Sequence, residues 1–388
     1  MDGSVQLTRL EPYNPRLRLL PHVSETWLPV CYSGDLKRSQ VRAEQFVGNR
    51  VCLFRDERGD VRAIEDVCPH RGVPLSLGEC VNGRVICSYH GLAVDADGRI
   101  GSQCTRSFPA REHYGLIWLF AGESRSAEST PLPQFLPFGS GETVDTVLHL
   151  DMQTHWSMVL DNGIDLTHDY LHRKQPFFFK TIGLDRIQES GDDIEISYRA
   201  TLRNEFNRRR EGLISLRLSG HLLRLDFDGQ PIVHSVLTPR SANGRKNTQW
   251  WFVSVRAKRG LRLYYRLLLP MLRKTMLAAF NEDRLMLEKE AEAVFDRGVA
   301  QTERNPMVRQ VQDFLQRQIE AACRSQMPSL PVEEVSTRKV LDQVARGELA
   351  IFHPVAPSPL TLEELTDQLG SAPTVRLHRR WGHALLAE

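Results

Sequence analysis

The sequence predicts a two-part protein of the α+β class, in which a small all-β domain precedes a larger domain with an antiparallel sheet packed against helices. Two observations lead to this prediction. From Trp27 to about Gly122, short apolar or alternating runs are separated by glycine-containing turns, as is typical of β-strands. After the proline-rich stretch from Ser129 to Gly139, the order of patterns becomes helix, several strands and a long helix.

The strands of the first domain are short, and tight turns separate them. The turns ERGD, VNGR and DADG combine glycine with aspartate or asparagine, the residues that accept the left-handed backbone of a hairpin. This region is therefore predicted to be all-β. Its predicted strands lie in the segments WLPVCYS, RVCLFRD, RAIEDV, RVICSYH, LAVDADGRI and YGLIWLFAG.

The second domain begins with helical apolar spacing in THWSMVLDNGIDLTHDYLH and closes with the long helical stretch MLRKTMLAAFNEDRLMLEKEAEAVFDR. The most apolar stretch, from Leu261 to Phe280, is interrupted by arginines, a lysine and Pro270. It predicts a buried or intersubunit amphipathic segment in preference to a membrane-surface element. Strand character between the two helical stretches is found in DDIEISYRATLR, LISLRLSGHLLRLDFDG, PIVHSVLTPR and NTQWWFVSVRA.

A proline-containing linker beyond Ser325 precedes a weakly patterned tail. In this tail, Thr361 and Glu364 have the spacing of a capping box, which predicts a helix over LEELTDQLG. The predicted divisions are an N-terminal segment packed on the second domain, the all-β domain, the α+β domain and a C-terminal extension of unknown role: 1–25, 26–125, 126–325 and 326–388.

The composition excludes several classes of function. The 388 residues carry a formal net charge of +2, with 41% hydrophobic and 25% charged residues, which is ordinary for a globular protein and does not indicate nucleic-acid binding. The sequence lacks a secretory signal pattern and a run of about 18 uncharged apolar residues. We therefore expect a cytoplasmic protein without a transmembrane segment. Seven cysteines, an odd number, favour metal binding over a disulfide framework.

Two short segments, CPHRG and CSYHG, each contain one cysteine and one histidine. They supply Cys68 and His70, then Cys87 and His90, in a C-x-H-x16-C-x2-H pattern. Two thiolates and two imidazoles are the ligands of a 2Fe-2S cluster in which cysteines hold one iron and histidines the other. A tetrahedral zinc site is the alternative, although zinc fingers usually pair cysteine with cysteine and histidine with histidine. The pattern therefore favours the iron-sulfur cluster.

A second candidate site lies in the segment DLTHDYLH. On an ideal α-helix, Asp165, His168 and His172 lie within roughly 60° of one face, so a shared metal site is possible. Taken alone, this spacing is a weak signal, because an ordinary helix that carries two histidines has the same appearance.

The two cysteine-histidine segments resemble the loops of Rieske domains in Rieske non-haem iron oxygenases. Respiratory Rieske proteins carry two additional cysteines, but the corresponding positions here are Val73 and Tyr89, so the oxygenase type is favoured. The resemblance implies a helix-grip type catalytic domain after the Rieske domain, with one antiparallel sheet packed on helices. It also implies two cofactors, a 2Fe-2S cluster and a mononuclear ferrous iron.

The same resemblance assigns roles to the second site. DNGIDLTHDYLH resembles the family segment N-x2-D-x2-H followed by a second histidine, so His168 and His172 are the implied iron ligands, although the commoner family spacing between the histidines is one residue longer. Two histidines and a carboxylate form the facial triad of such oxygenases. The carboxylate is expected in the helical segment NEDR, with Asp283 as the first choice and Glu282 as the second.

Asp165 is implied to link the two metal centres. In the family, this aspartate bonds an iron-ligating histidine, here His168, and a cluster histidine of a neighbouring subunit, here His90. The resemblance therefore implies a head-to-tail homotrimer, because the two centres within one chain are too far apart for electron transfer. Two interpretations of Asn162 stay open, a catalytic role and an amide that satisfies nearby backbone.

The implied function is that of a terminal oxygenase component. It uses dioxygen and electrons from a separate ferredoxin or flavin reductase to hydroxylate or oxidatively demethylate a small-molecule substrate. The segments EDVCPHRGVPLSLG and CSYHGLAVDADG are most similar to the group of pheophorbide a oxygenase and the oxidative demethylases, which favours monooxygenation of a larger substrate. A desaturase or oxidative cyclase on the same scaffold and a non-enzymatic Rieske electron carrier are the alternatives.

Overall fold

A computed structural model gives the fold of the chain. The predicted N-terminal segment, apart from Glu25, lies outside the residues that the structure describes. The described residues are 25–122, 124–175, 179–203, 209–241, 244–299, 305–326, 332–346, 349–353, 360–380 and 383–387.

The first part of the chain consists of short antiparallel strands. They form sheets of order β1-β12-β11, β10-β4-β3-β2, β5-β6-β7 and β8-β9, and the turns ERGD, VNGR and DADG lie where the sequence predicts them. The all-β prediction is therefore confirmed. The strands are β1 (Thr26–Tyr32), β2 (Gln40–Phe46), β3 (Asn49–Arg55), β4 (Val61–Glu65), β5 (Glu79–Val81), β6 (Arg84–Ile86), β7 (Ala93–Val94), β8 (Arg99–Ile100), β9 (Gln103–Cys104), β10 (Ser107–Phe108), β11 (Ala110–His113) and β12 (Leu116–Ala121).

The second part is built on a seven-stranded antiparallel sheet of order β13-β19-β18-β17-β16-β15-β14. Helices precede and follow its strands, which confirms the predicted α+β architecture. The elements are α1 (Ser124–Ser129), β13 (Thr143–Met152), α2 (Trp156–Ile164), β14 (Phe179–Ser190), β15 (Asp193–Arg203), β16 (Arg209–Ser219), β17 (Leu222–Phe227), β18 (Gln230–Pro239), β19 (Asn247–Arg256), α3 (Arg262–Ala291) and α4 (Pro306–Gln326).

The two parts share one hydrophobic core. Trp118 of β12 is fully buried and stacks on Phe252 of β19, with 6.0 Å between the ring centroids. Phe135, from the proline-rich stretch between the two parts, lies 4.4 Å from the same ring. Packing of large aromatic side chains therefore joins the β-rich part to the central sheet.

Helix α3 crosses the inner face of the sheet and carries the candidate carboxylates. Trp251 of β19 stacks on Phe280 at 4.1 Å between ring centroids, and Arg273 donates to the carbonyl of Val147 at 3.0 Å. The first turns of α3 lie beyond these contacts. Their residues Leu263 and Leu267 are 68% and 73% exposed. Burial within the chain, one of the two predicted alternatives, is therefore wrong for the first half of this stretch, whereas Met276, Leu277 and Phe280 in its second half pack against the core. The intersubunit alternative stays a prediction. No helix in the described ranges is long and apolar enough to cross a membrane.

The predicted single helix through DLTHDYLH is also wrong. Helix α2 ends at Ile164, and Asp165 has an extended backbone with φ −86° and ψ 94°. A separate 3₁₀ helix then spans Leu166–Tyr170. The break occurs because the Asp165 carboxylate accepts a hydrogen bond from Thr167 N at 2.9 Å, which caps the new turn.

The C-terminal extension has its own sheet, of order β20-β22-β23-β21, and its own hydrophobic cluster that includes Leu365 and Leu377. The predicted capping box is confirmed, because Glu364 N donates to Thr361 Oγ1 at 3.2 Å while Thr361 N donates to Glu364 Oε2 at 2.7 Å. The elements are β20 (Val332–Ser336), α5 (Thr337–Ala345), β21 (Ala350–Phe352), α6 (Leu362–Leu369), β22 (Thr374–Arg380) and β23 (His383–Leu386).

Candidate metal centres

Two matched loops present the four residues of the cysteine-histidine pattern. In the first loop, Cys68 N donates to the carbonyl of Val73 at 2.9 Å, and Cys68 O accepts from Gly72 N at 2.8 Å. The second loop repeats this arrangement, since Cys87 N donates to Leu92 O and Cys87 O accepts from Gly91 N, each at 2.9 Å. Backbone hydrogen bonds of a tight loop therefore hold each cysteine, and these bonds do not involve the side chains within the loop.

The glycines of these loops are required by backbone conformation. Gly72 and Gly91 have φ values of +73° and +69°, in the left-handed region where a side chain is strained. No heavy atom lies within 4 Å of a Cβ added at either position, so space is not the constraint. The segments CPHRG and CSYHG therefore end in glycine because each loop must turn back on its cysteine.

The loops place sulfur and nitrogen donors in different environments. Cys68 and Cys87 are 2% and 1% exposed, whereas His70 and His90 are exposed, with their rings 4.8 Å apart. Burial raises the pKa of the Cys68 thiol, and the neighbouring Cys87 thiol adds to this effect. Coordination to a metal deprotonates such a thiol outright. The inner sulfurs and outer imidazoles thus suit a cluster with one buried and one exposed iron.

The spacing of these four donors does not match a single zinc ion. Zinc–ligand bonds of roughly 2.0–2.3 Å would bring all four donors within about 4 Å of one another. In the described part of the chain, the one group of three or more potential ligands whose donor atoms all lie within 4.8 Å of one another is elsewhere. The wider arrangement of Cys68, His70, Cys87 and His90 fits a two-iron cluster.

That compact group consists of His168, His172 and Asp283. Asp283 Oδ1 lies 3.5 Å from His168 Nε2 and 3.0 Å from His172 Nε2. The two histidines come from the 3₁₀ helix and the turn after it, and the aspartate comes from the C-terminal half of α3. The structure therefore brings together the three residues that the resemblance implies as iron ligands.

Glu282 lies on the far side of His172 from this group. Its Oε2 is 3.0 Å from His172 Nδ1, and its Oε1 accepts from Gln175 Nε2 at 2.7 Å. Burial alone would lower the pKa of His172, but the carboxylates of Asp283 and Glu282 outweigh burial and raise it. A carboxylate on the second ring nitrogen is the usual support of a metal-ligating histidine, because it sets the tautomer and ring orientation.

The arrangement fits a divalent metal ion. Asp283 Oδ1 is buried and has no aligned hydrogen-bond donor in the described part of the protein, which is costly unless another positive group satisfies it. Two imidazole Nε2 atoms face the same oxygen, and a set of two histidines and one carboxylate is typical of non-haem iron. The ligand roles themselves stay predictions.

Asp165 does not make the expected contact with His168. Among the described residues, no hydrogen bond joins these two side chains. Its Oδ1 instead accepts from Thr167 N, from Thr167 Oγ1 at 2.6 Å and from Asn305 Nδ2 at 2.8 Å. The extended backbone at Asp165 turns this carboxylate toward the following turn. Asn305 was not found from the sequence, because it lies 140 residues away.

A largely apolar cavity of about 370 Å³ opens beside the candidate iron ligands. Asn162 lines it, and no hydrogen bond to the Asn162 side chain is present in the described part of the chain, so the backbone-satisfying interpretation gains no support. Strand β19 contributes alternate residues to one wall, a period of two that is visible in the sequence. The lining of β19 and α3 includes Gln249, Trp251, Val253, Val255, Leu272 and Phe280.

Comparisons with known proteins agree with this architecture. Residues 26–110 match the family model of the Rieske [2Fe-2S] domain. The chain is 33% identical over 202 residues to the 4β-methylsterol monooxygenase of Methylococcus capsulatus, a match that covers 48% of this chain and 54% of that protein. It is 36% identical over 140 residues to the vanillate O-demethylase oxygenase subunit of a Pseudomonas strain, a match that covers 32% of this chain and 40% of that protein. The chain thus spans about half the length of these two relatives.

Among solved structures, dicamba monooxygenase bound to dichlorosalicylic acid is similar, with a TM-score of 0.62, 20% identity, and coverage of 79% of this chain and 99% of that one. At this identity the likeness concerns the fold. Residues 26–110 are therefore a Rieske domain, for which a 2Fe-2S cluster is the implied cofactor. The homologues, which match up to about half of this chain, and the structural neighbours, which share its fold, are Rieske non-haem iron terminal oxygenases, as the resemblance implies.

Proposed function

We propose that this chain is the terminal oxygenase component of a Rieske non-haem iron system. One observation carries the proposal: His168, His172 and Asp283 form a compact ligand group at the wall of an apolar cavity, in a chain that also has a Rieske domain. A Rieske electron carrier would need neither the ligand group nor the cavity. The expected reaction is hydroxylation or oxidative demethylation, as in the monooxygenase and demethylase relatives.

The protein contributes ligands, orientation and exclusion of water. His168, His172 and Asp283 would hold a ferrous ion, which supplies open coordination positions for dioxygen activation. Glu282 and Gln175 keep the His172 ring in place from the opposite side. The apolar wall excludes water from the site, which limits side reactions of the activated oxygen.

Of the candidate cluster ligands, the two histidines lie at an exposed tip of the Rieske domain, whereas the two cysteines are buried. His70, His90 and Tyr89 are all exposed, and the Tyr89 ring is tilted against the His90 ring with 3.9 Å between ring centroids. We propose that this tip docks beside Asp165 of a neighbouring copy in a head-to-tail homotrimer, so that His90 and Asp165 meet across the interface. Because no hydrogen bond joins Asp165 to His168 in the described part of the chain, this docking would also have to complete the contact of Asp165 with the iron site.

A separate ferredoxin or flavin reductase is the proposed electron donor. The structurally similar oxygenase of carbazole 1,9a-dioxygenase is known in complex with a ferredoxin. The cytoplasm remains the predicted compartment.

Metal analysis tests the proposal. The purified chain should contain about three irons and two acid-labile sulfides, of which two irons belong to the cluster. His168→Ala should lose one iron and keep the sulfide and the visible spectrum of the cluster. Cys68→Ala should lose the cluster instead. Two irons with undiminished electron transfer would contradict an oxygenase and leave an electron carrier.

A further inference from the structure

A polar pair interrupts the apolar wall of the cavity. On β19, Gln249, Trp251 and Val253 point to the same side, because alternate residues of a strand share a face. Gln249 Nε2 donates to Ser235 Oγ of β18 at 2.9 Å, and the two residues are 8% and 5% exposed. Both line the cavity, so the pair is buried in the protein but faces the substrate space.

The pair lies at the iron end of the cavity. Two contacts set the direction of α3 against β19. In the first contact, Phe280 of α3 stacks on Trp251 of β19. In the second, Glu288 Oε1 of α3 accepts a hydrogen bond from Gln153 N. Gln153 follows Met152, which pairs with Asn247 at the start of β19. Gln249 is between Asn247 and Trp251 in the strand, so it faces the part of α3 that contains Asp283.

The other end of the cavity is apolar and extends well away from the iron site. Leu272 of α3 and Val255 of β19 line this end. Leu272 precedes Asp283 by eleven residues, which corresponds to about 16 Å along a helix. A rigid skeleton of several fused rings fits such a length.

Asn162, Gln175 and Thr275 are the other polar residues of the lining, apart from the candidate ligands. Gln175 donates to Glu282, and Thr275 donates to the Met271 carbonyl of its own helix. The Ser235–Gln249 pair is therefore one of few polar positions in a cavity that is otherwise apolar.

Apart from the candidate ligand histidines, the described lining also carries no basic side chain. Among the described residues that line the cavity, none is lysine or arginine, and the one acidic side chain is the candidate ligand Asp283. Away from a ferrous ion held by His168, His172 and Asp283, a substrate carboxylate would be buried without a counter-ion, which is strongly unfavourable. A neutral substrate meets no such penalty.

The hydrogen bonds that the pair leaves open define the group it can bind. In the described part of the protein, the Ser235 hydroxyl hydrogen has no acceptor and Gln249 Oε1 has no donor. If the amide were turned around, the pair would still offer one donor and one acceptor. A hydroxyl group can use both, because it accepts one hydrogen bond and donates another.

We propose that the cavity binds a neutral, largely apolar, multi-ring alcohol, with its hydroxyl held by Ser235 and Gln249 next to the iron site. The proposal rests on the proposed oxygenase function, because that function makes the cavity a substrate site. It assigns Ser235 and Gln249 as specificity-determining residues. Oxidation is expected at a carbon close to the hydroxyl-bearing carbon.

Ligand binding to the metal-loaded protein tests the proposal without turnover. Calorimetry would compare a hydrocarbon, an alcohol and a carboxylate on each of two skeletons. The two-ring series is bicyclohexyl, cyclohexylcyclohexanol and cyclohexylcyclohexane carboxylate. The four-ring series is androstane, androstanol and androstane carboxylate. On at least one skeleton, the alcohol should bind about tenfold more tightly than the hydrocarbon, the factor expected for a well-satisfied buried hydrogen-bonding pair. The carboxylate should bind more weakly than both.

Substitutions then assign the preference to the pair. Gln249→Leu and Ser235→Ala should each reduce the preference for the alcohol over the hydrocarbon to about twofold or less. Ser197→Ala is the matched control, because the buried Ser197 pairs with the half-buried Ser215 at 2.9 Å on the same sheet but does not line the cavity. It should keep the preference of the unaltered protein.

Several outcomes would overturn the proposal: a carboxylate that binds as tightly as the alcohol, no binding of any neutral compound, or an unchanged preference in Gln249→Leu. Iron and sulfide counts on the same samples keep this result separate from the proposed function. A full metal complement with no preference for the alcohol rejects the substrate class alone. A missing mononuclear iron rejects the oxygenase function alone, since the binding comparison still reports on the cavity.

Discussion

The two ring nitrogens of His172 face two consecutive carboxylates of α3. Asp283 Oδ1 lies 3.0 Å from Nε2, and Glu282 Oε2 lies 3.0 Å from Nδ1. Adjacent residues of a helix point about 100° apart, so they can approach one ring from different sides. The pair of acidic residues in NEDR therefore divides into one candidate ligand and one residue that orients the ligand histidine.

The first prediction separates these two roles. Asp283→Asn should abolish mononuclear iron binding, because it removes the anionic donor. Glu282→Gln should keep the site but weaken iron affinity by about 10- to 100-fold, the usual effect of losing a carboxylate behind a ligand histidine. Competitive iron titration against a chelator measures both effects.

Glu288→Gln is the control for these variants, because Glu288 lies on the same helix and accepts from Gln153 N. Its iron affinity should equal that of the unaltered protein. If Glu282→Gln lost the iron and Asp283→Asn retained it, the two roles would have to be exchanged.

The second prediction concerns the charge of Asp165. Asparagine caps a turn about as well as aspartate, so Asp165→Asn should keep the capping bond from Thr167 N and both metals. Turnover should fall by about 10- to 100-fold, since a hydrogen bond to a charged group contributes roughly 1.5–3 kcal/mol. Cluster reoxidation in a single turnover, followed by its visible absorbance, measures the change.

Asp161→Asn removes the same charge one turn earlier, where the carboxylate accepts from Gln312 at 2.8 Å. It should reoxidise the cluster at the normal rate. Equal slowing in both variants would mean that general electrostatics, and not a contact of Asp165, controls the rate.

The third prediction concerns the glycines of the cluster loops. Gly72→Ala and Gly91→Ala should each destabilise the loop by about 1–2 kcal/mol, because alanine is strained at their positive φ values. We expect lower sulfide content and a lower temperature of cluster loss. Gly34→Ala is the comparison, since Gly34 is not among the positive-φ glycines and no atom lies within 4 Å of an added Cβ. A cluster as stable in Gly91→Ala as in Gly34→Ala would contradict this account.

The fourth prediction tests the capping box of α6. Thr361→Ala removes the side chain that accepts from Glu364 N and should destabilise this helix by about 1 kcal/mol. Hydrogen exchange of the α6 amides should accelerate accordingly, by about fivefold. Thr366→Ala is the control, because Thr366 bonds the Leu362 carbonyl within the helix and caps no terminus. Unchanged exchange in Thr361→Ala would show that packing of Leu365 alone holds the helix.

Much of the fold could be predicted because its signals are local. Alternation and glycine turns identify the strands, and the spacing of Cys68 with His70 and of Cys87 with His90 places each pair of candidate cluster ligands on one short loop. The break at Asp165 was missed because helical apolar spacing continues through it. The capping preference of aspartate is a local signal that could have located the break.

The candidate iron site illustrates the limit of local information. The resemblance to a family pointed to His168, His172 and Asp283, but the support of His172 by Glu282 joins residues 110 positions apart. The pairing of Ser235 with Gln249 depends on the register of β18 against β19. Neither relationship has a sequence period, because each arises from how separate elements pack.

The sequence by itself determined the all-β first part, the α+β second part and the two loops of candidate cluster ligands, since these follow from periodicity, turn chemistry and ligand spacing within short segments. The candidate iron ligands were implied by the family resemblance. Only the tertiary structure decided which carboxylate of α3 lies close to both histidines, where Asp165 points and what lines the cavity. These depend on the angle at which α3 crosses the sheet and on the local end of α2 at Ile164. Packing of the whole core sets both, and no single segment contains that information.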